Sequence, residues 1–368
     1  MAEYRLPEYP CVADMWDELK EEKRPILVYG MGNGADKLFK RLEKYGITPS
    51  DVFASDGFVR GHSFRGYRVK SFSDIKAEYD NFVIVLSFGT NRREVLDMLS
   101  EIDREYDLYV PDMPVAGEDE YFDRAFYNEH YREISEAYSA LSDERSKNAF
   151  SLILRYKISG RMQYLEQASD SISDIYSLLL PLGITSAIDG GAYNGDTLRE
   201  MREQLPTLRH AIAVEPDRRT FKRLSRYVGE VDDFDISIYN AALWSDLGEG
   251  GFSSSANRNS TVSATASYEH KEDTVPLLTV DSIAKDRVDY IKYDVEGAEA
   301  EALFGSLETI KKYSPALRIA VYHRSRDIFS IINYMKKSFE GYSFHIRRTR
   351  CLPAWEIDLI MIPRRTEK

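Results

Sequence analysis

Cysteine is almost absent from this chain of 368 residues, which contains only Cys11 and Cys351, near its opposite ends. Two cysteines are too few for a disulfide framework or for a structural zinc site held by several thiolates. The low cysteine content therefore predicts a protein of the cytoplasm.

An excess of basic residues is also lacking. The chain has 49 lysines and arginines against 61 aspartates and glutamates, a net charge of −12 and an isoelectric point of about 5.2. Nucleic acids are bound by clustered Lys and Arg, so this balance argues against a nucleic-acid partner. One basic cluster, at 347–350, is interpreted as a solvated strand end, and contact with an anionic substrate is the alternative.

Long apolar runs are missing as well. No stretch is long enough to cross a bilayer, and the first residues lack the apolar core of a signal peptide. We therefore expect neither a membrane protein nor a secreted one. A hydrophobic content of 43% with 30% charged residues is ordinary for a soluble globular protein, and the length predicts two domains.

The most informative stretch is a glycine-rich turn at 187–197, which reads A-I-D-G-G-A-Y-N-G-D-T. An apolar strand at 184–188 leads into it, and a helix-forming run follows. Residues without Cβ permit a tight turn and the close approach of backbone to a ligand. A second apolar run, 211–214, ends at Glu215, whose two carboxylate oxygens suit the two hydroxyls of a ribose. The spacing predicts an adenosine-containing ligand, and alone it fits a nicotinamide cofactor nearly as well.

The succession of strands indicates the fold. Five apolar strands alternate with helices, as right-handed parallel crossovers require, and two final strands are separated by Leu352-Pro-Ala without a helix. The final pair predicts an antiparallel hairpin, whereas half of a dinucleotide dehydrogenase would continue with another crossover. The predicted strands are 184–188, 211–214, 236–239, 290–293, 317–321, 342–348 and 357–362.

Further motifs follow the glycine turn in a fixed order. They are Val214-Glu-Pro-Asp, Asn240-Ala-Ala-Leu-Trp-Ser-Asp, Val288-Asp-Tyr-Ile-Lys-Tyr-Asp-Val-Glu-Gly-Ala-Glu, and a strand that runs into His323. From about residue 184 onwards the chain resembles the FkbM family of S-adenosylmethionine-dependent methyltransferases. Tyr193 departs from the pattern, because the family often has Asn there.

The resemblance implies a class I methyltransferase fold, S-adenosyl-L-methionine as the cofactor and an oxygen atom as the methyl acceptor. Ligands of such sheets lie at the carboxyl ends of the strands. The predicted cofactor-binding residues are Asp189, Gly190, Gly191, Ala192, Tyr193, Gly195, Asp196, Thr197, Glu215, Pro216, Asn240, Ala241, Ala242 and Asp294.

The predicted catalytic residues are His323 and Asp294. An imidazole with an ordinary pKa of ~6.5 suits proton removal near neutral pH, although a structural strand-end histidine is the alternative. Glu296 and Glu299 lie three residues apart on the following helix and are predicted to bind the acceptor. These acids would also suit a divalent cation, or Glu296 would complement the positive end of the helix; the sequence assigns no metal. The polar run 253–261 is either a flap over the acceptor or a plain surface loop.

A second glycine turn, G-x-G-x-x-A at 30–35, follows the strand at 26–29, and Asp56 ends the next strand. This part resembles the Rossmann-like domain of some sugar acyltransferases, where it is similar to a nucleotide-sugar binder. The resemblance implies that Gly30, Gly32, Asp56 and residues 87–93 face a ligand. Alternatively, the glycines serve helix packing and Asp56 caps a turn.

The sequence thus predicts an α/β protein with two doubly wound Rossmann-like domains, 1–115 and 181–368, joined by a helical bridge at 116–180. The predicted activity is methyl transfer from S-adenosylmethionine to a hydroxyl oxygen of a small-molecule or carbohydrate acceptor. A nucleotide or nucleotide-sugar is a further candidate ligand of the first domain. The rival interpretations are a nicotinamide-dependent oxidoreductase and a non-catalytic nucleotide-sensing protein.

Overall fold

The computed structural model describes residues 12–59, 61–117, 120–253, 261–263 and 273–364. Its first part contains a sheet of five parallel strands in the order β5-β2-β1-β6-β7 and a small antiparallel pair, β3 and β4. Its elements are α1 (Met15–Glu21), β1 (Ile26–Tyr29), α2 (Asn33–Lys44), β2 (Asp51–Ala54), a 3-10 helix (Asp56–Phe58), β3 (Ser63–Phe64), β4 (Tyr67–Arg68), β5 (Lys70–Ser71), α3 (Phe72–Glu78), β6 (Val83–Leu86), α4 (Arg93–Glu105) and β7 (Asp107–Tyr109).

Helices connect this sheet to the second one. Side-chain caps mark several of their starts: Asp143 accepts a hydrogen bond from the amide of Ser146, and Ser171 forms a capping box with Asp174. The helices are α5 (Arg124–Glu129), α6 (Tyr131–Ala140), α7 (Glu144–Ser159), α8 (Gln163–Gln167) and α9 (Ile172–Leu179), followed by a 3-10 turn (Leu180–Leu182).

The second sheet has seven strands in the order β10-β9-β8-β15-β16-β18-β17, and a four-stranded sheet, β11-β14-β12-β13, lies beside it. The elements are β8 (Ser186–Gly190), α10 (Asp196–Gln204), β9 (His210–Val214), α11 (Arg218–Gly229), β10 (Asp235–Tyr239), β11 (Ala242–Leu243), β12 (Gly248–Ser253), β13 (Thr261–Ser263), β14 (Asp273–Leu278), α12 (Val280–Ile283), β15 (Tyr290–Tyr293), α13 (Glu299–Phe304), α14 (Leu307–Tyr313), β16 (Ala316–Ala320), α15 (Asp327–Ser338), β17 (Tyr342–Arg348) and β18 (Ile357–Pro363).

Five strands of the large sheet are parallel, and β18 enters antiparallel between β16 and β17. The predicted terminal hairpin and the predicted class of fold are therefore confirmed. The four-stranded sheet is not predicted from the sequence. Its strands carry weak β signals, because β12 contains three glycines and β14 contains Pro276.

One continuous apolar core joins the two sheets through the helices. It includes Phe53 from the first sheet, Phe150 and Ile153 from α7, and Ile188 and Leu359 from the second sheet. The helical segment is thus part of the core and not a surface linker. Within the described residues, no helix is both long enough and apolar enough to cross a membrane.

The interpretation of the basic cluster as a solvated strand end is wrong for Arg347 and Arg348, which are both buried. Helices α7 and α8 cover β17 on this side. Arg347 donates a hydrogen bond to Ser146, and Arg348 donates to Ser169 and to the carbonyl of Leu165. The guanidinium groups satisfy buried acceptors between the helices and the edge strand.

Candidate active site

A cleft of about 1350 Å³ lies at the carboxyl ends of β8, β9, β15 and β16 and extends to the first sheet. This is where ligands bind to open parallel sheets. Glycine-turn residues and acids from the second sheet line it together with residues that follow β1 and β6 of the first. Of the predicted residues, those that line the cleft are Gly32, residues 87–92, Gly191, Tyr193, Asp196, Thr197, Glu215, Pro216, Ala241, Ala242, Asp294 and Glu296.

The glycine turn after β8 packs against the end of β15. Gly191 has a φ of +79°, and a Cβ on it would lie 1.8 Å from the carbonyl oxygen of Asp294. Gly195 has a φ of +85°, and a Cβ there would lie 2.6 Å from the ring of Tyr227. Both positions therefore require glycine, and the turn is brought directly beside Asp294.

Glu215 holds the turn in place. Its Oε2 accepts a hydrogen bond from the amide of Tyr193 at 2.9 Å, and its Oε1 accepts one from the amide of Asp217 at 2.8 Å. Burial raises the pKa of this carboxyl to about 7, although the two amide bonds work in the opposite direction. Each oxygen keeps a lone pair for a further donor, so the side chain is able to bind a diol.

Asn240 supports the same loop from behind. Its side-chain amide donates to the carbonyl oxygens of Glu215 and Pro216 at 2.8 and 3.0 Å. The small residues Ala241 and Ala242, which follow it, line the cleft. Asn240 therefore positions the loop, while the two alanines leave room for a flat ligand.

The sequence prediction misses a row of charges across the centre of the large sheet. Asp189 on β8, Lys292 on β15 and Arg318 on β16 lie side by side in register, and all three are buried. Lys292 Nζ lies 3.9 Å from Asp189 and 3.1 Å from Asp294, while Arg318 pairs with Asp358 and Glu200, at 2.8 Å each. Lys292 and Arg318 line the cleft. Their signal in the sequence is a lone cation inside an otherwise apolar strand.

The predicted catalytic residues lie close together. His323 is 1% exposed; its Nδ1 lies 2.9 Å from Glu299, and its Nε2 lies 3.5 Å from Asp294 and 3.7 Å from Glu296. Asp294 also accepts a hydrogen bond from the hydroxyl of Tyr322 at 3.2 Å. The structure therefore brings together His323 and the three acids that the sequence singles out.

The charges of these groups are strongly coupled. Burial lowers the pKa of His323, but the neighbouring Glu299, Asp294 and Glu296 outweigh it and raise the value to about 10. Burial raises the pKa of Asp294, but Lys292 and His323 bring it down to about 2. Burial and the nearby acids raise the pKa of Glu296 to about 8. At neutral pH the free site thus holds a protonated imidazole, which is not ready to accept a proton.

Several predicted residues lie behind the cleft and not on its surface. His323 and Glu299 are buried beneath Asp294 and Glu296, and Asp189 lies below Lys292. The backbone of these residues forms the glycine turn or a strand end, and the polar side chains among them contact residues that line the cleft. The group consists of Asp189, Gly190, Ala192, Gly195, Asn240, Glu299 and His323.

In the first sheet, two of the predicted ligand residues, Asp56 and Gly30, have structural contacts. Asp56 accepts hydrogen bonds from the amides of Phe72 and Ser73 in the first turn of α3, whose N-cap is Ser71, and this is a structural role of the kind that the sequence left open. Gly30 has a φ of +117°, and a Cβ on it would meet Ser87 Oγ at 2.5 Å. Gly32 and residues 87–92, in contrast, line the cleft. Of the predicted flap, residues 254–260 lie outside the described part of the chain.

Gly32 and Gly34, at the start of α2, allow a matched test of how closely this helix packs. A Cβ on Gly34 would lie 2.1 Å from the backbone oxygen of Ser87, whereas a Cβ on Gly32 would meet nothing within 4 Å. We expect Gly34→Ala to lower the free energy of unfolding by ~2–4 kcal/mol, and Gly32→Ala by less than ~1 kcal/mol. Urea denaturation measures both; equal effects would contradict the close packing of α2 on the loop after β6.

The strand order, the glycine turn after the first strand of the large sheet and the acid after the second define the fold of class I methyltransferases. Residues 189–344 match the family model of the Methyltransferase FkbM domain. This stretch is therefore similar to methyltransferase domains of the FkbM type, and the match supports S-adenosylmethionine as the cofactor. No curated protein sequence matches the chain.

Several solved structures align with the chain. The crystal structure of methyltransferase FkbM from Methylobacillus flagellatus KT aligns with 97% of this chain and 96% of its own, with a TM-score of 0.71 and 17% identity. An rRNA methylase from Streptococcus thermophilus aligns with 52% of this chain and 94% of its own (TM-score 0.35, 8% identity). Fibrillarin from Aeropyrum pernix, with natively bound S-adenosyl-L-methionine, aligns with 52% and 73% (TM-score 0.34, 13% identity). The first alignment shows that the architecture is shared over nearly the whole chain.

Proposed function

We propose that this protein transfers a methyl group from S-adenosylmethionine to a hydroxyl oxygen of a small-molecule acceptor of the carbohydrate type. The observation that carries the proposal is the contact between the Gly191 turn and Asp294, which brings the predicted cofactor residues and the acid–histidine group into one cleft.

The cofactor is held by the residues around the glycine turn. Glu215 accepts hydrogen bonds from the ribose hydroxyls, the flat adenine lies beside Ala241 and Ala242, and the methionine part extends over Gly191 towards Asp196 and Thr197. These side chains line the cleft. In this binding mode the methyl group would lie near Asp294.

The reaction is an in-line displacement. The acceptor oxygen attacks the methyl carbon, the carbon–sulfur bond breaks, and the sulfur keeps the electron pair and becomes neutral, while the proton of the acceptor hydroxyl is released to solvent through the cleft. Alignment of the two reactants supplies much of the rate enhancement. Asp294 accepts a hydrogen bond from the acceptor hydroxyl, Glu296 orients the acceptor, and His323 and Glu299 hold the two acids from behind.

The acceptor extends towards the first sheet. The cleft, at about 1350 Å³, is larger than the ~300–1,000 Å³ of a typical ligand pocket, so it has room for cofactor and acceptor together. Its far wall carries Gly32, Ser87, Thr90, Asn91 and Arg92. Backbone and side-chain donors of this kind suit a sugar or a nucleotide-sugar.

Calorimetric titration tests the cofactor first, with S-adenosylhomocysteine and, in parallel, NADH. We expect S-adenosylhomocysteine to bind with micromolar affinity and NADH not to bind. Transfer of labelled methyl groups to a panel of sugars and nucleotide-sugars then tests the acceptor. Binding of NADH in place of S-adenosylhomocysteine would overturn the proposal in favour of an oxidoreductase.

A further inference from the structure

One ring nitrogen and two carboxylate oxygens, all of metal-binding types, lie at the edge of the cleft. They are His323 Nε2, Asp294 Oδ1 and a carboxylate oxygen of Glu296, with His323 3.5 Å from the first acid and 3.7 Å from the second. We propose that these three side chains bind a divalent transition-metal ion, such as Mn²⁺ or Zn²⁺, which contacts the methyl acceptor.

The imidazole is the strongest indication. His323 is 1% exposed, and within the described residues neither of its ring nitrogens makes a hydrogen bond of acceptable geometry, although Nδ1 has Glu299 beside it. Both facing oxygens lie beyond the ~2.9–3.0 Å of an ordinary N–H···O bond. A buried ring nitrogen that points between two carboxylates at these distances lacks the partner that burial normally requires.

The distances fit a shared ion better than hydrogen bonds. Two ligands at ~2.1 Å from a tetrahedral ion are ~3.4 Å apart, and wider angles bring them further apart. The observed separations of 3.5 and 3.7 Å are close to this spacing. One imidazole and two carboxylates are a donor set that favours Mn²⁺ or Zn²⁺ over Ca²⁺ and Mg²⁺, which prefer oxygen alone.

Glu299 orients the imidazole from the opposite side. One of its oxygens lies 2.9 Å from His323 Nδ1 and also accepts a hydrogen bond from the amide of Val295 at 2.9 Å. A carboxylate behind a histidine fixes the ring and strengthens the other nitrogen as a ligand, as in many metalloproteins. Glu299 is therefore a positioning residue for the ion.

The balance of charge also calls for a cation. Asp294, Glu296 and Glu299 surround one imidazole, and Lys292 reaches this group only through the far oxygen of Asp294. A divalent ion bound at Nε2 would offset this excess of negative charge.

The proposed ion site is open towards the cleft, where the methyl acceptor would bind. Asp294 and Glu296 line the cleft, whereas His323 and Glu299 lie behind them. The ion would keep coordination positions towards the cleft, beside the Gly191 turn. If the proposed methyl transfer is correct, an acceptor hydroxyl bound there would lose its proton to solvent more readily, because a cation lowers the pKa of a coordinated oxygen.

Metal binding is measured on the full-length protein after removal of metals with EDTA. Titration with Mn²⁺, followed by electron paramagnetic resonance and calorimetry, should show one saturable site, and Zn²⁺ should displace the Mn²⁺. Glu296→Gln and His323→Gln should each weaken binding at least 10-fold. Glu301→Gln, which removes the same charge from α13 outside the cluster, should leave the affinity unchanged.

Glu296→Gln is the decisive variant, because its side chain is 36% exposed and its loss should not disturb folding, which thermal unfolding verifies. Absence of a saturable site, or equal affinity in wild type and Glu296→Gln, would overturn the metal proposal. Binding of S-adenosylhomocysteine to the same samples separates the two proposals: cofactor binding without metal binding overturns only the ion, and metal binding without cofactor binding overturns only the methyl transfer.

Discussion

Glu215→Gln is expected to weaken the binding of S-adenosylhomocysteine at least ~100-fold. The amide keeps the size of the side chain, but its NH₂ group cannot accept hydrogen bonds, so one ribose contact and one contact to the turn are lost together. Each hydrogen bond to a charged acceptor is worth ~1.5–3 kcal/mol, and ~1.4 kcal/mol corresponds to a factor of 10 in affinity. Calorimetry at pH 8 measures the change.

The control for this variant is Glu230→Gln, which removes an exposed charge just after α11 and should leave the affinity unchanged. Thermal unfolding without ligand shows whether the turn itself has been lost. A Glu215→Gln variant that binds S-adenosylhomocysteine as tightly as the wild type would contradict the ribose contact.

Asp189→Asn is expected to make the protein more stable relative to the wild type as the pH rises. Asp189 is completely buried, neither of its carboxylate oxygens has a hydrogen-bond partner among the described residues, and burial raises its pKa from 3.8 to about 7. Lys292 and Arg318 counteract this rise, whereas Asp196 and Asp294 add to it. Between pH 3.8 and about pH 7, Asp189 is therefore ionised in the unfolded chain and protonated in the folded protein.

The sign follows from this difference. Below pH ~4 Asp189 is protonated in both the folded and the unfolded protein, and above pH ~7 it is ionised in both. The free energy of unfolding of the wild type therefore falls between these two pH values, and above pH ~7 the loss stays constant. Asparagine has no such cost. From pH 5 to pH 8 the difference in free energy of unfolding between variant and wild type should grow by ~2–3 kcal/mol.

Urea denaturation at several pH values measures this growth, and any constant penalty of the buried amide cancels from it. Asp286→Asn, at an exposed position, is the control and should show no comparable trend. A difference that does not change with pH would show that Asp189 is already ionised in the folded protein at pH 5. The expected gain illustrates that functional sites often retain groups that reduce stability.

Much of the large sheet could be predicted from the sequence. Its strands are short apolar runs that end at polar residues, and the final hairpin follows from the absence of a helix between 348 and 357. The acids at the strand ends were recognisable for the same reason, since Glu215 and Asp294 end buried runs. Local pattern and position along the chain were sufficient there.

The charge row required knowledge of the register between strands. Nothing local shows that Lys292 faces Asp189 and Arg318, because β8, β15 and β16 are far apart in the sequence. The extension of the cleft to the first sheet could not be predicted either, because it depends on contacts between parts of the chain that are far apart in the sequence. Asp56 shows the opposite difficulty: an acid after a strand serves equally well as a ligand or as a cap, and only its contacts with Phe72 and Ser73 separate the two.

The carbonyl oxygen of His323 accepts hydrogen bonds from the backbone amides of Val115 and Ala116, at 3.0 and 2.9 Å. The segment that follows the last strand of the first sheet thus holds the main chain of His323 in place. It also packs closely on the site, because a Cβ on the nearby Gly297 would lie 2.7 Å from the Cβ of Ala116. A fragment that begins at the large sheet would retain the predicted cofactor residues and the acid–histidine group, but it would lose this backbone support and the far wall of the cleft. The first half of the chain therefore completes the candidate site, in the way that a partner chain completes a site shared between protomers.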